Sequence, residues 1–116
     1  MPDILLILKI VCAVGTIAVG LVSIVKPTAV YGFTGLQAEG PRGITEIRAV
    51  LGGLFVGLGL APFLLEMAPA AFQAGGITYL AVGLVRLVAM FTDKSVMGSN
   101  WISLIFEVVF GVILVL

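Results

Sequence analysis

Hydrophobic residues fall in four long runs, each closed by a short polar break. The first extends from Ile4 to Val25, about the 20 residues a helix needs to cross a bilayer, and only Lys9 interrupts its second turn. A leader carrying Asp3 rather than Lys or Arg, and a run this long, argue for a true span over a cleaved signal. Lys26-Pro27 ends the run, because proline cannot extend the helical ladder. The connection that follows, KPTAVYGFTGLQAEGPRG, is the longest in the chain. Val30, Tyr31 and Phe33 suit an interfacial turn, and EGPRG is charged turn chemistry that belongs in water. It reads as a connector, with a ligand lid as the sharper alternative.

The second run spans Thr45 to Leu65, with Pro62 expected to bend it near its end. Glu66-Met67-Ala68-Pro69 is a tight link, and Pro69 fits the first turn of a third helix. Spans two and three therefore read as an antiparallel hairpin. The third run covers Ala70 to Phe91, and the polar TDKSVMGSN turn leads to Trp101, an interfacial anchor. The fourth runs from Trp101 to Leu116. About 16 residues is short for a crossing, so this helix is thin or continues beyond Leu116. The pattern predicts an all-α, integral membrane four-helix bundle in one transmembrane domain, with spans at 4–25, 45–65, 70–91 and 101–116.

Small residues line parts of these helices. Thr45, Ala49, Gly53, Gly57 and Ala61 recur every fourth residue, beside Gly52, and Cys12, Thr16 and Gly20 repeat the spacing in span one. In lipid such GxxxG-like stripes let helix backbones approach and pack. Polar stripes accompany them: Tyr79, Gly83, Arg86, Met90 and Asp93 on span three, and Asn100, Ser103, Glu107 and Gly111 on span four, by the 3.6-residue period.

Composition narrows the class. With 61% hydrophobic and 10% charged residues and a mean hydropathy of +1.30, 116 residues cannot hide their apolar surface in a water-soluble core. A net charge of zero offers no basic face for nucleic acid. The chain has no His, the commonest general base and metal ligand. Cys12 is the single cysteine and lies in an apolar run, where an inert thiol is the plainer reading. There is no GxxxxGK[ST], and the GLGL around Gly57 lies inside a membrane helix, where glycine serves packing. The expectation is a non-enzyme without cofactor or metal site.

The informative chemistry is charge at depth. At about 1.5 Å per residue, Arg86 and Glu107 both lie roughly 8–9 Å inside the end that holds the two longer loops. Glu46, Arg48 and Asp93 cap the same end. Such charges face the protein interior and pair. One reading is an interhelical ion-pair network that fixes register. The other is a polar pocket, with a carboxylate exchanging a proton or cation and the arginines holding an anionic headgroup or carboxylate. Lys9 should snorkel to the terminal side, near Asp3 or Glu66. Lys26, Arg42 and Lys94 put the longer loops in the cytoplasm and both termini outside by the positive-inside rule, in a membrane of the bacterial cytoplasmic kind.

Glu46-Ile47-Arg48-Ala49, followed by Gly52-Gly53, with Arg86, Asp93 and Glu107 at matching places, resembles an uncharacterised family of small four-helix membrane proteins, the domain of unknown function 4345. Leu51 stands where that pattern has Tyr. The resemblance covers most of the chain and implies a four-helix fold, without an activity. The expected role is a structural or accessory subunit that packs against another membrane protein or itself. The alternative is a binding or transport protein for a lipid-like or weakly acidic molecule, using the Glu/Arg cluster.

Overall fold

The computed structural model describes residues 2–116. The described chain is all-helical, and four of its helices are long and apolar enough to cross a membrane. Helix α1 (Pro2–Val25) leads through a 3-10 turn (Pro27–Ala29) into the short α2 (Val30–Thr34). The second long helix is composite: α3 (Pro41–Glu46), a π-helical segment (Ile47–Gly53) and α4 (Leu54–Leu64). Then come α5 (Pro69–Thr92) and α6 (Gly98–Val115).

Local chemistry sets the boundaries. Proline opens the 3-10 turn, α3 and α5, where its missing donor costs nothing. Gly35 closes α2 at φ 74°, and Gly40 precedes α3 at φ 93°, left-handed values that glycine adopts without strain. At the end of α5, Asp93 N donates to the Ala89 carbonyl and Ser95 N to the Met90 carbonyl, with Lys94 at φ 55°. That is a Schellman-type stop with lysine where glycine is usual.

Two expected boundaries move. The second long helix begins at Pro41 rather than Thr45, because proline and the turn before it make a ready N-terminus. The fourth begins at Gly98, before Trp101, and gains enough length for the shortest of the four candidate spans at 18 residues. The interfacial turn expected at Val30–Phe33 is α2: Val30 is buried while Tyr31 and Phe33 are exposed.

The helices pair as two antiparallel hairpins, α1 with the second long helix and α5 with α6. Each is closed by glycines pressed onto backbone. A methyl group at Gly20 would lie 2.8 Å from the Gly52 carbonyl oxygen, and one at Gly59 2.6 Å from that of Ala13. In the second hairpin, a methyl at Gly76 would meet the Gly111 carbonyl oxygen at 2.8 Å. Only hydrogen fits at such distances, so the crossings rest on close van der Waals packing. Although spans two and three share the shortest link, it is these hairpins, one from each side of that link, that pack most closely.

The small-residue stripe in span two faces elsewhere. Thr45, Ala49, Gly53 and Gly57 are exposed, with Ala61 half-buried, and nothing in the described chain lies within 4 Å of a methyl placed on Gly53 or Gly57. Of the packing residues expected there, Gly52 makes the crossing, joined by Gly59. Gly52, Val56 and Gly59 form the α1-facing stripe at ordinary helical spacing, and Gly53 and Gly57, each one residue beyond Gly52 and Val56, are turned about a quarter of a turn or more away from it.

Between the hairpins lies a core of Cys12, Ala13, Phe72 and Leu114, flanked by Tyr79 and Phe110 among others. Thr16 donates its hydroxyl proton to the Cys12 carbonyl at 2.8 Å. Its oxygen is therefore left to accept from the Tyr79 hydroxyl, which ties α1 to α5. The Tyr79 ring stands edge-on to Phe110 at 5.5 Å, a favoured aromatic geometry. Large apolar side chains such as Val14, Leu54, Leu64, Leu84, Val85 and Phe106 cover the outside.

Candidate functional site

Helix periodicity delivers Arg86 of α5 and Glu107 of α6 to the same point on the α5–α6 seam. Gly83, one turn before Arg86, lies against the same side chain: a methyl group there would sit in ordinary van der Waals contact with Glu107 Cβ at 3.5 Å. Arg86 Nε donates to Glu107 Oε1 at 2.8 Å and to Oε2 at 3.0 Å, while Nη2 donates to Oε2 at 2.8 Å. This two-pronged fit holds the carboxylate against the flat edge of the guanidinium. Arg86 Nη1 turns to Asn100 Oδ1 at 2.9 Å, and Asn100 Nδ2 donates to the Ser95 carbonyl at 2.8 Å. The chain of contacts thus runs from α6 through α5 to the turn joining them. The Glu107 side chain is 11% exposed and that of Arg86 30%. Charge so screened from water is held by its partner, and among the described residues every buried side-chain nitrogen or oxygen has one.

The other expected members lie apart. Glu46 accepts from Arg42 Nη1 at 2.6 Å, a surface pair one turn apart on the same helix. Asp93 caps α5 through its backbone and its side chain is exposed. Arg48 is exposed in the π segment, and no ion pair or side-chain hydrogen bond reaches it among the described residues. The five-charge cluster is therefore one buried pair and three separate surface charges. Asn100 was legible as part of a polar stripe, and its seven-residue spacing from Glu107 places both on one face. Its role as the third member was not, since the receiving Ser95 carbonyl belongs to a turn whose shape the sequence does not dictate. The Lys9 ammonium lies 5.7 Å from the Phe72 ring centre, a cation–π contact, and among the described residues it forms no ion pair.

Two spaces among the described residues bear on the site. A cavity of about 10 Å³ between the hairpins, lined by Thr16, Gly59, Pro62, Phe72, Gly75 and Tyr79, has room for about one water molecule. An open groove of about 620 Å³ lies on the connection before the second long helix, lined by Leu36, Gln37, Glu39, Arg42, Glu46 and Ile47. Neither is lined by Arg86 or Glu107. Among the described residues, no three Cys, Asp or Glu side chains converge in a set fit for a metal.

Fold and site together define a small all-helical protein with four apolar, membrane-length helices and one arginine–glutamate pair buried between the last two. The family model described as Domain of unknown function (DUF4345) matches residues 4–116, nearly the whole chain, and the chain belongs to that family. No curated protein and no solved structure gives a match.

Proposed function

We propose that this protein is an integral membrane accessory component with no catalytic role, which packs against another membrane protein or a second copy of itself. The observation that carries this reading is the closure of the Arg86–Glu107–Asn100 network. All three guanidinium nitrogens are engaged, and both carboxylate oxygens accept from Arg86. A group so engaged serves to fix the register of α5 and α6, as buried ion pairs do when their partners are complete. The outward line of Ala49, Gly53 and Gly57 supports a packing role, since small residues on a lipid-facing helix let another helix approach. In this reading the four helices span the bilayer, with the longer loops on the cytoplasmic side.

Photo-crosslinking in native membranes tests it. A crosslinker placed at position 53 or 57 is expected to capture one defined membrane chain. A crosslinker at Val85 or Val88, on the outer face of α5, should capture chiefly lipid. Equal lipid capture at all four positions, with no protein adduct, contradicts the proposal.

A further inference from the structure

We propose that Lys26 and Arg48 together bind the phosphate of one anionic phospholipid in the leaflet on the loop side. The register of the first hairpin brings them together. Ile24 reaches the site of a methyl on Gly52, and Gly20 faces Gly52 and Val56. Lys26 lies two residues beyond Ile24 toward the loop end, and Arg48 lies four residues before Gly52 in the same direction. The two cations therefore stand within about half a helical turn of one level, Lys26 just past the end of α1 and Arg48 on the second long helix that runs antiparallel to it. Both side chains are exposed, and neither forms an ion pair among the described residues. The nearest carboxylate in sequence, Glu46, is held by Arg42.

Arg48 sits seven residues inside a helix that begins at Pro41 and is otherwise apolar beyond it. In a bilayer that places its Cα at the edge of the hydrocarbon, from which a long side chain extends toward the headgroups. Two positive groups at one level repel each other unless an anion lies between them, and a guanidinium meets phosphate in two-pronged fashion. At that depth the available phosphate belongs to lipid. The site lies apart from the outward Gly53–Gly57 line, so bound lipid and a packed partner are compatible.

Native mass spectrometry of the full chain ejected from nanodiscs of mixed phosphatidylcholine and phosphatidylglycerol tests this directly. The unmodified chain is expected to retain one phosphatidylglycerol in preference to phosphatidylcholine. Retention should fall about fivefold in Arg48→Gln, about as much in Lys26→Gln, and by the product of the two in the double variant. Lys94→Gln, which removes an exposed cation in the turn between α5 and α6, should leave retention unchanged. No lipid preference in the unmodified chain overturns the proposal without recourse to any variant. So does a double variant that keeps the lipid as well as the parent, or a fall of equal size in Lys94→Gln. Binding of inorganic phosphate by the detergent-solubilised chain with loss of the lipid adduct would assign the site to a soluble anion. Capture of a second protein chain through position 48, with no lipid retained, would assign it to a protein contact. Either result contradicts a lipid site.

Discussion

Glu107 and Arg86 illustrate how a charged pair becomes structural. Taken singly, each is expensive to hold away from water; together, with Asn100, they leave little unsatisfied. Removing one partner strands the other, so Glu107→Gln or Arg86→Met should each cost about 3 kcal/mol, read from unfolding in detergent. Replacing both with Met should cost clearly less than the sum of the two single changes. Additive losses would mean that the pair is not coupled. Tyr79→Phe removes the hydroxyl that donates to Thr16 while leaving Thr16 bonded to the Cys12 carbonyl, and should cost about 1 kcal/mol. The pairing of Arg86 with Glu107 was legible from depth alone, because both lie about as far below the same helix ends. The separation of Glu46, Arg48 and Asp93 from them was not. Depth fixes height in a bundle, whereas azimuth depends on helix phase and on which helices are neighbours.

At the scale of elements, the glycines divide into two sets that sequence spacing does not separate. Gly20, Gly59 and Gly76 lie against a neighbouring backbone, while Gly53 and Gly57 have open space before them. Gly59→Leu or Gly76→Leu should therefore force its hairpin apart and cost about 3 kcal/mol, at the upper end of overpacking effects. Gly53→Leu and Gly57→Leu should change the stability of the isolated chain by no more than about 0.5 kcal/mol, yet abolish crosslinking from that face. Thermal unfolding and the crosslinking yield, measured on the same variants, check both halves. The four apolar runs and the prolines that bound them were legible because hydropathy and backbone chemistry are local properties. For span two the spacing did not say which glycine face meets α1: Gly52 and Gly59, seven residues apart, lie against it, while Gly53, one residue on from Gly52, is turned about a quarter of a turn away.

For the whole molecule, two hairpins share a smaller interface of Cys12, Ala13, Phe72 and Leu114, the Thr16–Tyr79 hydrogen bond and a cavity the size of one water. The outward faces of the long helices are mostly apolar, and the interhelical ion pair lies within the second hairpin. On this account the protein acts through its outer faces, by holding another membrane chain, rather than through an interior site. Native mass spectrometry of the chain extracted gently from its own membrane tests that claim most directly. The account predicts a stoichiometric complex, with another membrane protein or with itself, that persists in Glu107→Gln under conditions where that variant stays folded. A monomer that carries one small-molecule adduct, lost when Arg86 or Glu107 is neutralised and kept when Arg48 is, would contradict it and make the buried pair a binding site.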